Sequence, residues 1–203
     1  MNILQSTRVR NPSGKRHGPA RGMVVIAAVV LVLGMRIQQA GAAAPNEYQV
    51  KAAYLCNFGK FVEWPTEKSS AEAAAFPICV LGADPFGATL DAMVVGQTIN
   101  RKSIVVRHIA TSGDATGCRV IFISALEDAN LNAILDQLGS ASILTVSDMP
   151  NFVDRGGMIQ FITQNRRVRF LINLGAAQHA GLRLSSELLR VAIRVTGIDK
   201  PRG

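Results

Sequence analysis

Residues 158–164 and 167–173, MIQFITQ and RVRFLIN, are two strand-length runs rich in β-branched and aromatic residues, separated only by Asn165 and Arg166. That spacing predicts a β-hairpin, around which the rest of the chain can be arranged. Gly156-Gly157 supplies a bend before it. On the second strand Val168, Phe170 and Ile172 share one face, while Arg167, Arg169 and Asn173 share the other, so one face is core and the other partly solvated. After Gly181 the spacing turns helical. Leu188, Leu189, Ala192, Ile193 and Thr196 fall on one side, which predicts a closing helix with Ser185 or Ser186 as its N-cap.

The basic residues of this stretch have two readings. Arg167 and Arg169 keep a strand edge soluble, or they form part of a surface that a partner recognises. Arg183 stands just before Ser185 and Ser186, where free backbone N–H groups and the helix dipole favour an anion, so Arg183 and Ser185 are candidates for a phosphate or carboxylate site.

Residues 1–42 read as an export signal: Arg8, Arg10, Lys15, Arg16 and Arg21 precede an apolar run, MVVIAAVVLVLGM, and Ala40-Gly41-Ala42 fits a small-residue cleavage site. The run is short against the ~20 residues of a spanning helix, so a retained inner-membrane anchor is the lesser alternative. This segment carries six of the 22 basic residues and none of the 14 acidic ones, which takes the formal charge from +8 to +2 once it is removed. The basic balance therefore belongs to the leader and predicts no nucleic-acid binding. Residues 43–203 suit one compact domain with a real core.

That domain opens with EYQVKAAYLCNFGKFVEWP, in which Val50, Tyr54, Phe58, Phe61 and Trp64 fall on one helical arc that Pro65 ends. Asn57 lies inside the arc and should bond a neighbouring backbone or mark a polar pocket. Glu47 and Lys51 form a favourably ordered i,i+4 pair. Beyond a polar connector, strands at FPICVLG, 103–109, 119–124 and 143–146 alternate with helices after Asp84-Pro85 and at 131–138. Several strands are continuous apolar runs, as in a sheet covered on both faces. The expected fold is a single α/β domain: a largely parallel mixed sheet of about six strands flanked by helices, with a C-terminal β-hairpin at its edge and a closing helix.

An exported chain meets an oxidising compartment, which makes Cys79, within a strand, and Cys118, at the start of another, a candidate disulfide. Three cysteines allow three pairings; in this one Cys56 is the free thiol. No set of residues for catalysis emerges. His108 sits in a strand and His179 in a connector, and no C-x-x-C, H-E-x-x-H or G-x-S-x-G accompanies them, so neither metal, cofactor nor enzymatic turnover is expected. Asp84, Asp91, Asp148 and Asp154 are spread singly through positions where carboxylates cap or solubilise.

Two segments, YQVKAAYLCNFGKFVEWP and GGMIQFITQNRRVRFLINLGAAQHAGLRLSSELLRVA, resemble the YfiR-like family of bacterial periplasmic proteins. The resemblance implies a periplasmic α/β repressor that inhibits an inner-membrane diguanylate cyclase through its periplasmic domain, and so lowers cyclic-di-GMP. It further implies a homodimer, a redox-responsive Cys79–Cys118 bridge, and an OmpA-type outer-membrane lipoprotein as a further partner. Two residues depart from the family pattern: Cys56 replaces a common aromatic, and Leu171 follows RVRF where an acidic residue is usual. The alternative function is a periplasmic sensor of a small anion or nucleotide.

Overall fold

The structure, a computed structural model, describes residues 46–65 and 75–197. The expected leader at residues 1–42 lies outside them, as does most of the polar connector. Helix α1 (Glu47–Phe58) begins in a capping box: Asn46 Oδ1 accepts from the Gln49 N–H at 2.8 Å, and Gln49 Oε1 accepts from the Asn46 N–H at 2.9 Å. A 3₁₀ turn (Gly59–Phe61) then feeds strand β1 (Val62–Glu63).

After the connector come β2 (Ala75–Leu81), α2 (Ala88–Val94), β3 (Thr98–Ile99), β4 (Lys102–Ile109), β5 (Val120–Ile123), α3 (Leu131–Leu138) and β6 (Leu144–Ser147). The hairpin strands are β7 (Ile159–Gln164) and β8 (Arg167–Asn173). The chain ends in α4 (Leu174–His179), β9 (Arg183–Leu184), α5 (Ser186–Val191) and β10 (Arg194–Thr196). Among the described residues the main sheet has eight strands in the order β10-β8-β7-β6-β5-β2-β4-β3, and β1 pairs antiparallel with β9 beside it. Strands β4, β2, β5, β6 and β7 run parallel.

The hairpin forms as the spacing predicts, pairing Phe161 with Phe170 and Ile159 with Ile172. Asn165 and Arg166 have φ of 51° and 59°, the left-handed pair that a two-residue turn needs to match strand twist. Before it, Gly157 lies against Phe152 so closely that a Cβ would fall 2.2 Å from the ring.

Three expectations change. The sheet has eight strands rather than about six, because the short β3 pairs with the start of β4 and the chain end supplies β10. The closing helix stops at Val191. Ala192 is extended, and Ile193, Val195 and Thr196, which are β-branched and favour a strand, carry the chain along β8. There Arg194–Thr196 pairs in parallel with Leu171–Asn173, and the Ile193 N–H donates to the Phe170 carbonyl at 2.9 Å. The hairpin is thus the sheet edge only over its first half, at Arg167–Arg169. The aromatic arc also breaks: α1 ends at Phe58, and Trp64, beyond β1, packs edge-on against Phe76 instead.

Core covers both sheet faces. On one, Phe76, Ile78, Val80, Val120, Phe122, Phe161 and Phe170 meet α1. On the other, Cys79, Leu81, Ile121 and Ile123 meet Leu131, Ile134 and Leu138 of α3, with Phe152.

Candidate functional site

The aromatic face of α1 that does not fit wholly into the core builds a groove. Tyr54 and Phe58 stack at 5.9 Å, and each meets Phe170 of β8 edge-on at 5.4 Å. Leu188 and Val191 of α5 stand opposite, enclosing about 360 Å³ with Phe61 at the mouth. The rim is apolar and open to solvent: Phe61 is 38% exposed, Val191 58%, and Ile193, two residues on, 50%. Apolar side chains of this size clustered at a cleft mark an interaction surface rather than scattered surface residues. Asn57, at this groove, takes the first of its two expected roles, since its Nδ2 donates to the Ala53 carbonyl at 2.7 Å.

The residues singled out in the sequence do not converge there. Arg167 and Arg169 lie on the β8 face opposite Phe170, Arg167 exposed and Arg169 half-buried. Arg183, 85% exposed, stands in the β1–β9 ladder with its Nε 3.8 Å from Glu63. Ser185 does cap α5: its Oγ accepts from the Leu188 N–H at 3.3 Å. The first turn of α5 also carries Glu187, whose carboxyl is held below its usual range by hydrogen bonds from its own backbone N–H and from Ser185. The helix end is thereby met by an anion from within the chain.

Cys79 and Cys118 form a disulfide with Cα atoms 5.9 Å apart, buried between the sheet and α3. Cys56 is the free thiol, and burial in α1 pushes its pKa up to about 11.

Sequence reasoning missed a buried ion-pair network. Lys51 is 3% exposed and reaches both Glu47 at 2.6 Å and Asp148 at 2.7 Å, with its Nζ 4.4 Å from the Tyr48 ring centre. The Tyr48 hydroxyl donates to the same Asp148 oxygen at 3.1 Å. Burial works against the charged lysine, but hydrogen bonds to Asp148 and Glu47 outweigh it and raise its pKa. Asp148 is therefore an internal counter-ion rather than a solubilising turn residue. Three other carboxylates are engaged as well: Asp154 holds Arg194 of β10 at 3.1 Å, and Asp84 and Asp91 flank His108 at 3.8 and 3.9 Å. His179 closes α4 rather than lying in an irregular connector.

The profile of the YfiR/HmsC-like family matches residues 48–193, which take in α1, the groove, both bridge cysteines and the hairpin. The chain belongs to that family. YfiR/HmsC-like proteins are periplasmic regulators of diguanylate cyclases. No helix among the described residues of this YfiR/HmsC-like chain is long and apolar enough to cross a membrane. Its fold is similar to a conserved domain protein from Vibrio cholerae, at a TM-score of 0.50 and 11% identity over 74% of this chain and 60% of that one. A weaker likeness, at 0.48 and 9% over 73% and 60%, is to a Streptococcus pneumonia protein described as an ABC domain in complex with L-Trp. The chain thus spans about 60% of the length of these two solved structures.

Proposed function

We propose that the chain, exported and cleaved after Ala42, is a periplasmic regulator without turnover that binds an inner-membrane diguanylate cyclase through its periplasmic domain and represses it. Family membership supports the class of partner. The observation that carries the binding role is the apolar groove of Tyr54, Phe58, Phe170 and Leu188 with its exposed rim of Phe61 and Val191. A surface of that kind suits the apolar face of a partner helix. Repression needs the oxidised Cys79–Cys118 form, and the working unit is a homodimer; an OmpA-type lipoprotein is the further partner. Arg167 and Arg169 supply a polar flank to the partner surface.

Deletion of the gene tests this by raising cellular cyclic-di-GMP, with a membrane protein of cyclase activity co-purifying with the tagged wild-type chain. Phe61→Asp with Val191→Asp should abolish both repression and co-purification, so that cyclic-di-GMP rises as in the deletion, while leaving the melting temperature nearly unchanged, since both side chains are exposed. Unchanged cyclic-di-GMP on deletion together with no co-purifying cyclase sinks the regulator reading. Full repression by the Asp pair sinks only the groove.

A further inference from the structure

The two walls of the apolar groove are held unequally. On one side α1 buries Ala52, Leu55, Cys56 and Phe58 and is tied to Asp148 through Lys51. On the other, α5 and β10 run from Ser185, whose N–H donates to the Phe61 carbonyl at 2.9 Å, to Gly197. Leu188 is the one buried side chain of α5, and no residue of β10 is buried. Strand β10 adds three residues to the edge of β8, and both partners of the ion pair that pins it, Arg194 and Asp154, are about half exposed. Segments with few buried apolar contacts and exposed hydrogen bonds are those that open locally.

The far end of this segment is a clasp of two glycines. Gly197 has a φ of 71°, and a Cβ on it would fall 2.4 Å from the Gly175 nitrogen and 2.9 Å from Asn173 Oδ1. A residue without a side chain is needed for the chain to seat there. The Thr196 hydroxyl adds a hydrogen bond to the Ile172 carbonyl at 3.3 Å.

A partner helix needs that wall to move. The groove floor is sealed in this conformation, with Phe58 1% exposed, Phe170 2% and Leu188 4%. An apolar cavity of roughly 150 Å³ takes one benzene-sized group, so the groove of about 360 Å³ holds a pair of side chains. An amphipathic helix presents a longer row, with anchors at i, i+3, i+4 and i+7.

We propose that α5 and β10 form a hinged strap: they lift as one unit about Ser185, β10 leaves the edge of β8, and the uncovered Phe58 and Phe170 take the apolar face of the partner helix. The identity of the partner rests on the repressor reading; the opening itself is a property of this chain alone.

Amide hydrogen exchange followed by NMR on the exported protein tests the strap with no partner present. The Ile193 N–H, bonded to the Phe170 carbonyl, and the Leu189 N–H, bonded to the Ser185 carbonyl at 3.2 Å, should share a protection factor at least tenfold below that of Phe122 in β5. Gly197→Ala forces a side chain into the clasp and should speed both amides by the same factor, about tenfold or more, while Phe122 and the amides of α1 stay unchanged. Arg194→Ala should speed both severalfold. The apolar dye N-phenyl-1-naphthylamine should bind more tightly to either variant than to wild type, and a co-purified cyclase should displace it. Acceleration of Ile193 alone would mean fraying of the chain end, and protection equal to that of Phe122 would mean opening by global unfolding; either overturns the strap. Unchanged dye affinity in both variants overturns the uncovering of the groove. If Gly197→Ala fails to fold, Arg194→Ala decides. Joint acceleration with no cyclase co-purifying supports the strap and counts against the repressor reading alone.

Discussion

Replacing Asp148 by Asn keeps the shape of the side chain and removes its charge, which leaves the Lys51 ammonium inside the protein with Glu47 as its one remaining counter-ion. The pair it breaks is well shielded, with side-chain exposures of 3% for Lys51 and 12% for Asp148 at 2.7 Å. At an effective dielectric of about 20, unit charges some 4 Å apart attract by roughly 4 kcal/mol. Removing one partner of a buried pair typically costs about 3–5 kcal/mol. Glu47 persists at 2.6 Å but is 46% exposed, so it compensates in part, and the expected loss for Asp148→Asn is about 2–3 kcal/mol. Lys51→Met should cost less, since the thioether fills the stem's place and Asp148 keeps the Tyr48 hydroxyl as a donor. In urea, with a slope of about 1–3 kcal/mol per molar, the Asn variant should lose roughly 1–2 M of midpoint. A double-mutant cycle should give a coupling above about 1.5 kcal/mol; additivity within about 0.5 kcal/mol would show that the pair is worth no more than a surface one, and the reasoning would fail. The network also has a pH signature. Glu47's pKa is lowered, mainly by its hydrogen bond from Lys51, so its contribution is present above its ordinary value of 4.5 and is lost as pH falls through the depressed value. Lys51's is raised, so its share is complete below the ordinary 10.5 and is lost only as pH climbs through the folded value. The gap in stability between wild type and Glu47→Gln should therefore close on acidification and hold steady between neutral pH and 9.

Further outcomes are expected for the cysteines and for Gly59. Alkylation of denatured, unreduced protein should mark Cys56 alone, and native protein at neutral pH should label slowly because that thiol is buried with its pKa near 11; replacing both Cys79 and Cys118 by Ser, which opens a loop of sequence separation 39, should lower stability by at most about 4 kcal/mol, and a mass spectrum with Cys56 in a bridge would refute the pairing. Gly59→Ala should cost about 1–3 kcal/mol by thermal or urea unfolding, because its Cβ would sit 2.6 Å from both Ile99 and Phe76; a stability equal to wild type would mean that α1 can back away from the sheet.

What could be read in the sequence divides by the distance over which each contact acts. The hairpin and helix α3 are decided within a few residues, by a two-residue turn and by the spacing of Leu131, Ile134 and Leu138, and both lie where the pattern predicts. Lys51 and Asp148 are separated by 97 positions, and an aspartate after a strand looks like a capping residue until the fold lays it against α1. The end of the chain fails for a related reason. Leu188, Leu189, Ala192 and Ile193 do carry helical spacing, yet the outer edge of β8 has unpaired backbone groups at Leu171–Asn173, and a run of Ile193, Val195 and Thr196 gains ladder hydrogen bonds there that a longer helix would forgo. Arg194 also reaches Asp154 at 3.1 Å, a contact 40 positions away that periodicity cannot reveal. The same holds for the groove and for the place of Trp64. Each is a product of where α1 stops: because the helix ends at Phe58 rather than running on to Trp64, Phe61 is left at the open mouth of the groove and the indole is carried to Phe76. Gly59, just past that helix, permits the turn by letting the chain approach the sheet where no side chain would fit, so one glycine sets the positions of both Phe61 and Trp64.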